Sequence, residues 1–163
     1  MKYYYTYGSP VGQIRITEDK GFITHIIFKN SIKEERPLFE KETYIIKETY
    51  SQLSEYFEGK RKNFKVPLKP NGTEFQKKVW AILSTIPYGE TWTYKKVAEV
   101  IECHNGYRAV GLANNQNPIA IIIPCHRVIG ASTSLTGYAG GLDIKKFLIN
   151  LERNNSVRNG ELF

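Results

Sequence analysis

The feature that most restricts this 163-residue chain is a break near its middle, where Pro67 and Pro70 lead directly into Asn71-Gly72. Proline removes a backbone donor and fixes φ, and Asn-Gly favours a turn, so no helix or central strand runs through this stretch. The patterns on its two sides differ in kind. Before it, Tyr3 to Tyr7, Gln13 to Thr17 and Phe22 to Phe28 are β-rich runs separated by Gly-Ser-Pro and Glu-Asp-Lys-Gly turns. A helical period follows from Thr43 to Glu58, with Ile46, Tyr50, Leu53 and Phe57 on one face and Gly59 as the stop. The reading is a domain of mixed α/β structure over residues 1–70 and a mainly helical one over residues 71–163.

The second half is punctuated more clearly. Thr73 and Gln76 form a capping box, and Phe75, Val79, Ile82, Leu83 and Ile86 give that helix one apolar face, ended by Pro87-Tyr88-Gly89. Thr93 caps a short helix from Tyr94 to Ile101 with Val97, Val100 and Ile101 inward. A polar turn from Glu102 to Gly106 separates it from another short helix, Tyr107 to Asn115. Two short helices across a tight turn suggest a helix-turn-helix, though such pairs also serve simply as packing units. The apolar run Ile119 to Ile123 ends at Pro124-Cys125-His126-Arg127 and reads as a strand. A closing helix from Leu142 to Arg153 places Ile144, Phe147, Leu148 and Leu151 on one face.

Charge and cysteine content narrow the function classes. The formal charge is +7, which favours polyanions. The excess is spread along the chain, so it locates no binding surface. No apolar run approaches a membrane span, and the start lacks the apolar core of a signal peptide, which leads to the expectation of a cytoplasmic protein. Two cysteines, Cys103 and Cys125, make no disulfide framework.

Cys125 is the nucleophile candidate. Thiolate is the reactive form, and adjacent His126 and Arg127 are groups that lower a thiol pKa. The alternative is a buried structural cysteine. His126 reads as a base or as a core histidine, and on a strand it would face away from Cys125, so a water or a local turn would have to join them. Glu152 falls at the edge of the apolar stripe beside Leu148, where a carboxylate could orient a histidine; a solvated glutamate is the plainer reading. Cys103-His104 and Cys125-His126 are adjacent pairs, whereas zinc ligands are normally spaced, so no metal is expected and Cys103 reads as a passive thiol. The helix from Tyr107 carries Ala109, Val110, Gly111, Leu112 and Ala113 after Arg108: it could approach DNA closely while reading little sequence.

The run Arg108 to Pro118 (RAVGLANNQNP) followed by Ile-Pro-Cys125-His-Arg-Val128, with the YGETWTY segment, Gly137-Tyr-Ala-Gly-Gly141 and the closing helix, resembles the O6-alkylguanine-DNA alkyltransferases. The likeness extends from about Thr73 to Glu152; the first half matches only through its strand pattern and the Ser9-Pro-Val-Gly12 turn. It implies a ribonuclease H-like α/β N-terminal domain and a mainly α C-terminal domain with a helix-turn-helix. The implied function is DNA repair. The protein would bind duplex DNA through the minor groove, turn O6-alkylguanine out of the stack and move the alkyl group irreversibly onto Cys125, without a cofactor and as a monomer.

The resemblance also implies roles. Cys125 is the acceptor, His126 a base acting through water, Glu152 its orienting carboxylate, and Asn117 the brace of the turn before the acceptor. Arg108 fills the vacated space, Tyr94 crowds the target phosphate and donates a proton towards the base, and Ala109 and Ala113 permit close DNA approach. Val128, Tyr138 and Ala139 line the substrate pocket, Ala139 standing where some relatives have serine. Ala120 replaces a proline of many relatives, which bears on bulky benzyl groups. The rivals are a binding module for alkylated DNA, a cysteine hydrolase and a zinc-stabilised DNA-binding domain.

Overall fold

A computed structural model describes residues 1–29, 38–103, 105–130, 138 and 140–160. It divides into two compact units, Met1–Asn71 with Pro118–Ala120, and Gly72–Asn117 with Ile121–Phe163. No helix among the described residues is long and apolar enough to cross a membrane.

The first unit is a four-stranded mixed sheet covered by a helix. Strands β1 (Lys2–Tyr7), β2 (Ile14–Asp19), β3 (Phe22–Phe28) and β4 (Leu38–Glu40) lie in the order β3-β2-β1-β4, with β4 parallel to β1 and the other pairs antiparallel. The β2–β3 turn places both Lys20 and Gly21 at positive φ, the twist that suits a two-residue hairpin. Alternation sends Ile14 and Ile16 of β2 and Ile26 and Phe28 of β3 inward. Helix α1 (Tyr44–Phe57) packs against β1, β2 and β3 and buries Ile46, Leu53 and Tyr56. Thr43, read above only as the start of a helical period, is its N-cap and accepts the Ile46 N–H. Tyr50 stacks on Tyr7 with ring centres 3.9 Å apart.

The outer edge of β3 is not left bare. Ile23 donates to Pro67 and accepts from Lys69, while Ile26 donates to Pro118 and accepts from the Ala120 N–H, all at 2.8–3.0 Å. Two short segments thus satisfy a sheet edge that would otherwise offer unpaired groups. The Ala120 bond is one that a proline there could not make.

The second unit contains α2 (Glu74–Leu83), α3 (Tyr94–Val100), α4 (Tyr107–Asn115), α5 (Leu142–Gly160) and a two-stranded parallel ladder of β5 (Trp92–Thr93) and β6 (Val128–Ile129). Thr73 and Gln76 bond reciprocally as the capping box, and Thr93 caps α3 through the Lys96 N–H. Trp80 of α2 donates its indole N–H to the Ala113 carbonyl of α4 at 2.9 Å.

One element is added and three expectations need correction. β4 carries no signal in the sequence pattern and is an addition to it. The Ile119–Ile123 run is not a strand: Ile119 makes a single bridge, and turns then follow to a 3₁₀ turn at Cys125–Arg127. In α3 the buried stripe is Val97, Ala98 and Ile101, with Val100 46% exposed, because small Ala98 occupies an inward position beside α4. In α5 the buried stripe is Lys145, Leu148, Ile149 and Glu152, whereas Phe147 is 39% exposed. Two charged residues hold core positions of that helix, so apolar periodicity indicated the wrong face.

Removing the α2 cap tests the local account. Thr73→Ala is expected to cost about 1 kcal/mol, read as a lower urea midpoint at unchanged slope.

Candidate active site

The 3₁₀ turn follows from two local constraints. Pro124 sits at φ −82° and ψ 64°, the inverse γ-turn geometry, and the Cys125 N–H accordingly donates to the Ile123 carbonyl at 2.8 Å. The Asn117 side-chain amide donates to that same carbonyl at 2.8 Å. Three residues before the proline, buried Ile121 has a positive φ of 71°, a strained setting for a β-branched side chain. The Arg127 N–H then bonds the Pro124 carbonyl, and the Val128 N–H bonds that of Cys125. Asn114, fully buried at the end of α4, also donates to the Cys125 carbonyl, at 3.3 Å. Cys125 is therefore fixed from both sides of its peptide.

Glu152 is the centre of the polar array. Its carboxylate receives His126 Nε2 at 2.6 Å, Arg127 Nε at 2.8 Å and Nη2 at 3.2 Å, and the Gly89 N–H at 3.3 Å. Arg127 also donates to the Ile86 carbonyl at 2.7 Å. Gly89 is required there: its φ is 84°, and a side chain would collide with Ser156.

Burial pushes the Glu152 carboxyl up, but the bonds and charges of His126 and Arg127 outweigh it and hold the group well below the usual carboxylate range. Burial is the largest influence on His126 and lowers it, and although Glu152 pulls it up, the Arg127 and Lys145 charges help keep it below its ordinary value. The imidazole is thus neutral at pH 7, its Nε2–H directed at Glu152, and the formal ion pair of the site is Arg127–Glu152. That tautomer leaves Nδ1 as the basic nitrogen, buried and without a hydrogen-bond partner among the described residues. Burial raises the Cys125 thiol, while the Asn117 amide, the Lys145 charge and Tyr138 pull it back.

The expected residues separate into three groups. Cys125, His126, Glu152 and Asn117 converge on the 3₁₀ turn, and Val128 is buried directly after it. Arg108 and Ala109 are exposed on the first turn of α4, and Tyr94 is half-buried beside Gly111. Ala113 departs from expectation: it is buried and its carbonyl holds Trp80, so it belongs to the packing face of α4 and not to a DNA-facing one. Arg127 also differs from its expected role, since its charge is engaged by Glu152 and not by the thiol. Ala139 lies outside the described residues, as does His104.

Sequence reading misses Asn114 and Lys145. Asn114 stands inside the RAVGLANNQNP run, where nothing sets it apart from its neighbours. Lys145 reads as an ordinary surface lysine.

The site belongs to the class in which a buried cysteine is held beside a His–Glu–Arg array, and the comparisons specify the family. Residues 2–70 match the 6-O-methylguanine DNA methyltransferase ribonuclease-like domain, and residues 74–154 match the DNA binding domain of the same family. A methylated-DNA–protein-cysteine methyltransferase of Methanosarcina mazei is 51% identical, over 94% of this chain and 98% of its own length. The constitutive Bacillus subtilis protein of that name is 43% identical over 94% and 96%. The crystal structure of Mycobacterium tuberculosis OGT in complex with DNA has a TM-score of 0.89 at 41% identity, covering 94% of both chains. The chain belongs to the methylated-DNA–protein-cysteine methyltransferase family. Its fold is a ribonuclease-like α/β domain and a mainly helical DNA-binding domain, and its activity is alkyl transfer in DNA repair.

Glu152→Gln should destabilise the protein by about 3–5 kcal/mol, because it leaves the buried Arg127 uncompensated. Acid has the same sign. The stability from Glu152 is complete above its ordinary value of 4.5 and is lost as pH falls below it. The folded pKa of His126 lies below its ordinary 6.5, so its contribution is complete above 6.5 and is lost as pH falls through that value. The wild-type urea midpoint is expected to decline from about pH 6.5 downward; a rise between pH 7 and 5 contradicts a neutral, buried His126.

Proposed function

We propose that this protein restores guanine in duplex DNA by taking the alkyl group of O6-alkylguanine onto Cys125, once per molecule. The observation that carries the reading is the buried His126–Glu152–Arg127 array joined to a cysteine held rigidly by Asn114, Asn117 and Pro124. Neutral His126 takes the thiol proton at Nδ1 through a bridging water, and Glu152 stabilises the imidazolium that forms. The thiolate displaces guanine at the alkyl carbon: the S–C bond forms, the C–O bond breaks and its electrons pass to the base. Tyr94 supplies a proton towards the base as this charge develops. A thioether has no good leaving group, so the protein stays modified.

An atom inside the base stack is unreachable, so the nucleotide has to be turned out. Helices α3 and α4 act as a helix-turn-helix. Arg108 and Ala109 on the exposed face of α4 enter the minor groove, and Arg108 fills the space left in the stack. The formal charge of +7 supports phosphate contact that is independent of sequence. The pocket is completed by the Val128 backbone, Tyr138 and Ala139. The protein works as a cytoplasmic monomer and needs no cofactor.

Intact mass after incubation with a duplex carrying one O6-methylguanine tests the transfer. The expected result is one methyl per protein, mapped to Cys125 and absent in Cys125→Ser. Tight DNA binding with unchanged mass would establish a damage-binding module instead. Arg108→Ala should slow transfer from duplex by about tenfold or more, equivalent to ~1.4 kcal/mol, with a smaller effect on single-stranded substrate, where no gap has to be filled.

A further inference from the structure

Helix α4 has two packed sides and one open one. Tyr94 of α3 lies 3.8 Å from where a side chain on Gly111 would begin, and Trp80 of α2 holds the Ala113 carbonyl. Val110, Ala113 and Asn114 are buried. The helical period brings Arg108, Leu112, Asn115 and Gln116 together on the remaining face, and all four are exposed.

Leu112 stands at the centre of that face and is 61% exposed. A lone exposed leucine needs no explanation. The setting of this one does. Arg108 lies one turn before it and Gln116 one turn after, the latter tethered by the Gln76 amide at 2.6 Å. Among the described residues of α4 that follow Arg108, Leu112 is the one large apolar side chain left exposed. Leucine gains nothing from a phosphate, so on a face turned towards DNA its effect falls on the bases.

The minor-groove edges of the base pairs differ in one group. Every pair offers acceptors there, and G·C adds the guanine N2 amine, a donor. Leucine excludes water from that amine and offers it no acceptor, and a donor buried without a partner is penalised. The acceptors are common to all pairs, so the amine alone makes the difference.

We propose that Leu112 is a specificity-determining residue of the transfer, which disfavours lesions whose neighbouring pairs carry the guanine amine. This rests on α4 entering the minor groove with Arg108 in the stack. The four residues from Arg108 to Leu112 advance about 6 Å, roughly two base-pair steps. Leu112 therefore reaches the first pairs on one side of the lesion.

The test is single-turnover methyl transfer at subsaturating duplex. In three substrates the two pairs on either side of O6-methylguanine are A·T, G·C or inosine·C, inosine being guanine without the N2 amine. Wild type is expected to react about tenfold faster with the A·T and inosine duplexes than with G·C. Leu112→Ala readmits water to the amine and should cut the inosine-to-guanine ratio to about threefold. Leu112→Asn offers the amine an acceptor and should bring the ratio to one or below. Ease of duplex opening acts alike on all three proteins, so the change in ratio reports on the side chain itself. Their urea midpoints should agree, because the substituted side chain is exposed.

A wild type that reacts equally with inosine and guanine neighbours overturns the proposal, and so does an Ala variant that keeps the wild-type ratio. Arg108→Ala separates the two levels. If it slows transfer from duplex while the Leu112 ratios do not move, the groove reading stands and the role of the leucine falls. If neither substitution matters, the groove reading falls with it. A protein that takes no methyl from any duplex sinks the transfer reading itself.

Discussion

A single ionised carboxylate, removed almost wholly from water, fixes the arrangement of the second unit. Glu152 stays charged only because the ring of His126, the fork of Arg127 and the Gly89 N–H all point at it. Those donors come from the 3₁₀ turn and from the segment after α2, so the carboxylate of α5 draws both to one place. Arg127 extends the connection to the Ile86 carbonyl. The same bonds select the tautomer of His126 and direct its basic nitrogen away from Glu152. Packing and chemistry here depend on one set of contacts.

The turn that carries Cys125 is built on the opposite logic. Pro124, strained Ile121 and the amides of Asn114 and Asn117 restrict the backbone without adding charge near the sulfur. A reacting atom inside a packed interior cannot move far to meet its substrate, so its geometry has to be set in advance. The raised thiol and the neutral histidine share one cause, since burial disfavours the charged form of each.

Much of this was legible in the sequence, and the remainder failed for identifiable reasons. Capping residues announced α2 and α3, since Thr73 and Thr93 satisfy specific N–H groups. The PCHR run and the closing helix identified Cys125, His126 and Glu152 through family likeness, because adjacent residues do not by themselves reveal what lies opposite them. Lys145 was illegible: a core lysine has the same letter as a surface one, and its presence displaced the inferred apolar face of α5 onto exposed Phe147. Ala113 was misread for a related reason, as small residues suit both a groove and a close helix contact. β4 is only three residues long and has no alternating pattern to read.

The Trp80–Ala113 bond has an optical consequence. The chain has only two tryptophans, Trp80 and Trp92, and both belong to the second unit. Trp80 is buried with its indole proton tied to α4, whereas Trp92 lies under the Lys96 ammonium. Intrinsic emission excited at the red edge, where tyrosine does not absorb, therefore surveys the helical unit alone. Any shift of α4 alters the indole's hydrogen bond, and with it the colour of the light. The protein carries its own dye in the helical unit, and none in the four-stranded sheet.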